Sequence, residues 1–486
     1  MPFSRHGDSA PSEHADIPGV ASSPSSRGRL LLLSYHVPPE PNPLAVGLKG
    51  VLDALRDTWT IDVVTATENA YAPPGVTTHH VPPRSLKGLH RTLGRVRLGK
   101  LADLVTWPDP YWPWIWPALR TSTRIVEAQR PDAVLAFSMP FSSAILGTLL
   151  KARTGLPLVL NFNDSPTCSD MYPVYPSRLH YELSRWLEDQ FARRADRVVY
   201  VSKTNRDRVA ARQPQPVRRT VKLVRCSAIP PEEEASPPPP PAPFRIVYTG
   251  AMSAWHALDP TPPSRAKRAF QAWKQFGTYT HAPLDVRSHS PIFLGAAVQS
   301  VLDDHPEWKD KIHVDIYGNT YPDALVQRVL DAHNLTDIVR VHGRVAPTEV
   351  AALTQSAHLL FLTLPDRPDG TPGGRISLKT YEYLMTDRPI LAAVPPGENW
   401  DFLQTQPGTF LSSPTDVATM AQTIEALVGD YRAGTRHVVN REALRPLFSA
   451  RTRAESLSQL LREVIHEHAA PSPDGAPYSH LNRSRS

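Results

Sequence analysis

The chain has 486 residues, enough for two or three domains, and its 41% apolar content suits packed globular cores. A net charge of +6 at this length is compatible with lipid, nucleic acid or phosphorylated partners and selects none of them. Only Cys168 and Cys226 occur, which excludes a disulfide framework and a cysteine-based metal site and makes a reducing, cytoplasmic setting the default.

Residues 1–27 are rich in Ser, Pro and His and poor in large apolar side chains, so they read as a disordered tail without a signal-peptide core. The apolar run 30–33 predicts a buried parallel strand, followed by a proline-rich loop and a helix over 44–55. Further strands are expected at 61–65, 78–81, 133–138, 158–162 and 197–202, with helical patterns between them. The stretch 133–150 comes nearest to a membrane span, but Pro140 and its serines favour a strand and then a helix over 142–154, and the protein reads as soluble. Between 84 and 100 there is no acid. Leu86, Leu89, Leu93 and Val96 make one helical stripe there, and Lys87, Arg91 and Arg95 make another. Such a basic amphipathic helix suggests an anionic membrane surface or a phosphorylated lipid acceptor. The aromatic-dense segment from Trp107 to Trp116 suits stacking on sugar, a lipid interface or partial burial against the core.

The run Pro237 to Pro241 ends this regime, because polyproline continues neither sheet nor helix. Phe244-Arg245-Ile246-Val247-Tyr248-Thr249-Gly250 then starts a new first strand, and strands at 312–317, 338–342, 359–362 and 389–393 follow. The alternation implies a second doubly wound α/β unit facing the first across a cleft. The domains expected are 28–228, a linker at 229–243, and 244–432 with an insertion at about 251–290, partly helical near 265–273. Helices at 433–468 and a disordered tail at 469–486 complete the chain.

The densest chemical signal is Gly373-Gly374-Arg375-Ile376-Ser377-Leu378-Lys379-Thr380-Tyr381-Glu382-Tyr383-Leu384. A glycine-rich loop opening onto a helix frees backbone N–H groups beside a partial positive charge, which suits a phosphate. Lys379 adds a full charge, and Glu382, one turn on, is placed to accept from ribose hydroxyls.

The pattern resembles the nucleotide-sugar site of retaining GT-B glycosyltransferases of the family 4-like group. Tyr317-Gly318, His342-Gly343-Arg344-Val345 and the Lys379 motif stand in that family's order, and the resemblance covers most of 29–430. It implies an α/β protein of GT-B architecture, with two Rossmann-like doubly wound domains facing a cleft. It also implies retaining, metal-independent transfer from a nucleotide-diphosphate sugar to a hydroxyl acceptor, lipid-linked or part of a cell-surface glycan precursor in one reading. The nucleotide-sugar is a substrate, so no cofactor and no metal site are expected, and no nucleic acid partner.

By the same likeness, the backbone of Gly343 and Arg344 meets the base, and Gly47, after Tyr35-His36-Val37-Pro38-Pro39-Glu40, approaches the donor phosphate. The family has a glutamate eight positions before Glu382; here that position is Gly374, so amides near Gly373, Gly374 and Ile376 are assigned its role. Arg287, beyond the insertion, stands for the family's second diphosphate cation beside Lys379. Asp164, in Asn161-Phe162-Asn163-Asp164 where the family often has Asp-Phe-Arg-Asp, contacts acceptor or sugar. The expected location is cytoplasmic and peripheral at the inner membrane face. A GT-B epimerase and a non-catalytic nucleotide-binding scaffold are the two alternatives.

Overall fold

A computed structural model describes residues 27–228 and 243–470, except 41, 96, 97, 171, 172 and 253. The expected tails, apart from residues 27, 469 and 470, and the linker apart from residue 243 lie outside the described residues. The first half forms strands β1 (Gly28–Leu33), β2 (Trp59–Thr65), β3 (Val76–His80), β4 (Ala133–Phe137), β5 (Leu158–Phe162), β6 (Val174–Tyr175), β7 (Arg197–Tyr200) and β8 (Val221–Leu223). Seven of these make one all-parallel sheet in the order β3-β2-β1-β4-β5-β7-β8. The unbroken leucine run of β1 follows from burial on both faces. Leu30 and Leu32 enter one core and Leu31 and Leu33 the other, as the two-residue period of a strand requires.

The second half repeats the plan with β9 (Phe244–Thr249), β10 (Tyr279–Thr280), β11 (Ile312–Tyr317), β12 (Val339–Val341), β13 (Leu359–Thr363), β14 (Ile390–Ala393) and β15 (Thr409–Ser412). Its six-stranded parallel sheet runs β12-β11-β9-β13-β14-β15. The two facing doubly wound sheets are the GT-B arrangement.

Three features depart from a simple division at the proline linker. The final helix, Ala450–Ala469, packs on the first half: Ala454, Leu457, Leu461 and Val464 share a core with Leu48, Val51 and Leu52 of the first helix, Pro43–Leu55. Trp59 Nε1 donates to Ser458 Oγ there at 3.0 Å. The insertion is anchored at both ends, through buried Trp255 and Leu258 and through a two-residue antiparallel pairing of β10 with β6 across the halves. Finally, the basic segment forms two helices, Lys87–Arg95 and Gly99–Val105, rather than one, and Val96 lies outside the described residues. Of the aromatic segment, Trp114 is fully buried while Trp116 is exposed.

Candidate active site

Loops at the carboxyl ends of both sheets enclose a cavity of about 450 Å³. His36, Gly47, Ser138, Asn163 and Asp164 line it from the first half, and Arg375, Ile376, Ser377 and Lys379 from the second. Arg453 enters it from the returning terminal helix.

Lys379 lies on the short helix Leu378–Leu384, whose buried face holds Tyr381, Tyr383 and Leu384. The Tyr383 hydroxyl accepts from the Thr249 backbone N–H at 3.0 Å and so fixes the end of β9. The next residue, Gly250, has φ +133°, and a Cβ there would stand 2.3 Å from Lys379 Cε. Only glycine leaves that lane open, and the lysine runs through it to place Nζ 5.4 Å from the Tyr248 ring centroid. Burial lowers the Lys379 pKa; Glu382 opposes this, and Arg375 adds to it. Burial in turn raises Glu382, with Lys379 pulling the other way. Below them, burial and then the charges of Lys379 and Arg375 bring His289 down to about 3, so it is neutral near pH 7.

The loop after β5 presents Asp164 and is pinned by one fully buried acid, Glu188. Its Oε1 accepts from Ser165 Oγ at 2.6 Å and from the Tyr200 hydroxyl at 2.9 Å; its Oε2 accepts from Thr167 and, at 2.7 Å, from Arg212 Nη2. Four partners satisfy a carboxylate that would otherwise be very costly to bury. Asp164 accepts from Ser169 Oγ at 2.8 Å, and burial pushes its carboxyl up despite Ser169 and Arg375.

The glycine loop sits against this same region. Gly373 N–H donates to Pro396 O at 2.9 Å, its carbonyl accepts from Glu398 N at 3.0 Å, and Gly374 N–H donates to Asp170 Oδ2 at 3.3 Å. Two amides expected to face a ligand are thus engaged within the protein, because the loop is also the joint between the halves. Glu398 completes that joint. It accepts from Lys203 N at 2.7 Å, Thr204 N and Arg225 Nη1 at 2.9 Å, and Ser202 Oγ at 2.6 Å. Although burial opposes it, these donors together hold the Glu398 carboxyl below its ordinary value.

The structure brings Gly47, Asp164, Ile376 and Lys379 to one cavity. Gly373 lines an adjoining recess with Asp170 and Arg375, and Gly374 packs on Thr204 and Asn205. Glu382 lies one turn behind Lys379. Gly343 and Arg344 are exposed beyond β12, where the Gly343 carbonyl accepts from Gly318 N–H at 2.9 Å. Arg287 is exposed on a single 3-10 turn, Val286–Ser288, and does not line the cavity; the arginine that does so beside Lys379 is Arg375. The glycine-loop motif therefore brings an arginine as well as a lysine to the cavity, while the residue beyond the insertion faces solvent.

Arg453 was not expected either. Its Nη2 donates to Asn163 Oδ1 at 3.0 Å and its Nη1 approaches Cys226 Sγ at 3.3 Å. A signal for it did exist: Arg453 falls four residues before Leu457, on the apolar stripe of its helix, where a charge is out of place.

Residues 44–223 match the family described as the glycosyl transferase 4-like domain. No curated protein matches the chain significantly. Among solved structures, sucrose-phosphate synthase from Thermosynechococcus elongatus is similar with a TM-score of 0.57 at 13% identity, over 91% of this chain and 100% of that one. The α,α-trehalose 6-phosphate synthase of Burkholderia multivorans gives 0.55 at 13% identity, over 91% and 100%. HepE of Anabaena, solved in complex with UDP-glucose, gives 0.56 at 13% identity, over 90% and 99%. At such identities the likeness establishes the shared GT-B fold.

Proposed function

We propose that this chain, a GT-B protein carrying a glycosyl transferase 4-like domain, transfers a sugar from a nucleoside-diphosphate donor to a hydroxyl acceptor in the interdomain cavity. The observation that carries this reading is Lys379, threaded past Gly250 to line the cavity together with Arg375. When the bond between the anomeric carbon and the diphosphate breaks, its electron pair leaves on the phosphate oxygen. Two cations fixed beforehand in a part-buried site stabilise that charge. The acceptor oxygen bonds to the carbon and its proton is released. Asp164, buried on the opposite wall, is placed to hold an acceptor or sugar hydroxyl, and Gly47 allows close approach of backbone to phosphate.

In this reading Arg375 takes the part first given to Arg287. Glu382 accepts from the ribose, Ile376 meets the donor, and Gly343 and Arg344 meet the base. Retention of configuration and independence from metal follow from the family likeness. HepE was solved with UDP-glucose, so uridine nucleotides are the first to try. No described helix is long and apolar enough to cross a membrane. Exposed Leu89, Leu98 and Leu101, near Lys87, Arg91 and Arg95, support a lipid surface as the place of work and a lipid-linked acceptor.

The test is calorimetry of UDP, GDP, ADP and dTDP on the wild type and on Lys379→Ala. Binding selective for one base, weakened at least about tenfold by the substitution, is expected. Absence of nucleotide binding by folded wild-type protein would overturn the reading.

A further inference from the structure

The insertion between β9 and the helix Ile292–Asp304 does something the catalytic reading does not use. Within it, the helix Arg265–Gln275 buries no residue at all. Its sequence, RAKRAFQAWKQ, carries Arg265, Lys267, Arg268 and Lys274 and no acid. Phe270 and Trp273, three residues apart, share a face with Ala266 and Ala269, and Phe276 follows directly. Phe270 is 45% exposed, Trp273 55% and Phe276 73%.

A helix of this length is marginal in water and ordinarily depends on an apolar face packed against its own protein. Here none of the helix's residues is buried, yet both ends are held. On one side Trp255 and Leu258 are buried in the second core, and Asp259 pairs with Arg328 at 3.2 Å. On the other, Tyr279 and Thr280 pair with Tyr175 and Val174, and the N–H groups of His281 and Ala282 donate to Pro173 O at 2.9 and 3.3 Å. The segment is a held-out display rather than a loose loop.

We infer that the Arg265–Gln275 helix lies on an anionic lipid surface, with Phe270, Trp273 and Phe276 in the headgroup boundary and the four cations against lipid phosphates. An aromatic stripe flanked by Lys267 and Lys274, with Arg265 and Arg268 farther round and no acid on the helix, is what an interfacial helix requires, and the charge chooses an anionic partner. The geometry extends the lipid reading of the basic segment between 84 and 100 from the first half of the chain to the second. The helix Arg178–Arg194 connects the two places: Ser184 Oγ accepts from Trp107 Nε1 at 3.2 Å, and Tyr181 packs on Tyr279 with ring centroids 4.8 Å apart. Exposed Leu179 and Trp186 lie on that connecting helix. With both halves on one surface, the cleft is held at a fixed height above the bilayer.

The experiment is co-sedimentation of the full chain with vesicles of phosphatidylcholine alone, or with one part in three of phosphatidylglycerol. Three proteins are compared: wild type, the triple variant Phe270→Ser, Trp273→Ser and Phe276→Ser, and the charge variant Lys267→Gln, Arg268→Gln and Lys274→Gln. Wild type is expected to bind the anionic vesicles, salt-sensitively, and each variant to partition at least about tenfold less. Because the helix buries nothing, unfolding temperature and nucleotide affinity should be unchanged, and vesicle binding requires no donor chemistry. Wild-type partition by both variants, or equal binding to neutral vesicles, overturns the inference. A wild-type dimer that the aromatic variant converts to monomer, with vesicle binding intact, would assign the face to a second copy of the chain and likewise refute it. Capture of RNA by the basic face in place of vesicles would also refute it.

Discussion

The tightest prediction concerns Gly250→Ala. The new methyl carbon would stand 2.3 Å from Lys379 Cε and 2.6 Å from Nζ, where ordinary contact needs at least 3.4 Å. The ammonium must therefore withdraw by roughly 1 Å, because the backbone on the other side is held by Tyr383 and by the Gly250 N–H to Tyr317 O bond at 2.7 Å. At an effective dielectric near 20, moving a charge from about 4 to about 5 Å from a phosphate costs ~0.8 kcal/mol. Losing a charge-assisted hydrogen bond costs about 1.5–3 kcal/mol more. Donor nucleotide affinity should fall by about 2.3–3.8 kcal/mol, or roughly 50- to 600-fold in Kd. The φ of +133° adds strain of about 1–3 kcal/mol, which appears separately in the denaturation midpoint. Calorimetry on Gly250→Ala, Lys379→Ala and the double variant decides the matter. Once the lysine is gone, adding Gly250→Ala should change affinity by no more than about 0.5 kcal/mol. Full additivity, or wild-type affinity in a folded Gly250→Ala protein, would refute the claim that this glycine acts through Lys379.

Glu398→Gln should destabilise the protein by about 2–4 kcal/mol in urea titration, discounted from the buried-pair range of about 3–5 kcal/mol because Arg225 is partly exposed. It should also speed hydrogen exchange at Lys203 and Thr204, whose amides Glu398 holds. His289, at about 3 in the fold against 6.5 unfolded, takes up a proton only in the unfolded chain between those values. Stability should therefore fall as pH drops from about 6.5 toward 3, by at most ~1.4 kcal/mol per pH unit from this residue, and His289→Gln should flatten the slope. The depressed Glu398 carboxyl acts in the same direction at lower pH, its contribution being lost as pH falls through the folded value. Glu188→Gln should cost about 3 kcal/mol and loosen the loop bearing Asp164, seen as faster proteolysis between 164 and 170. Equal protease resistance would show that the loop is held by other contacts.

Much of the fold was legible because it is written locally. The apolar runs 30–33 and 359–362 announce buried parallel strands, and the restart at Phe244 after five prolines announces a second sheet. The Lys379 motif was legible for the same reason, since loop, cation and acid lie within one short segment. What stayed hidden depends on residues far apart in the chain. Gly250 and Lys379, Arg453 and Asn163, and Glu398 and Ser202 meet only after folding. Arg287 was chosen by its place after the first strand, but the insertion lets that turn end with the side chain in solvent, while Arg375 fills the wall. The amides of Gly373 and Gly374 looked available because sequence does not reveal that their loop is also a domain joint.

The returning helix Ala450–Ala469 has a consequence for anyone who divides this protein. A fragment ending near residue 228 would leave bare the groove that Leu457, Leu461 and Val464 fill, each worth about 1.5–3 kcal/mol of burial. The same fragment would lack Arg453, so its share of the cavity wall would be missing a charge. Seen as solid bodies, then, the first unit is made of residues 28–228 together with the helix Ala450–Ala469, with the second unit as a long excursion between them. Stop codons or tags near residue 450 would reach the first half's cavity wall first, although the sequence places them at the far side of the other domain.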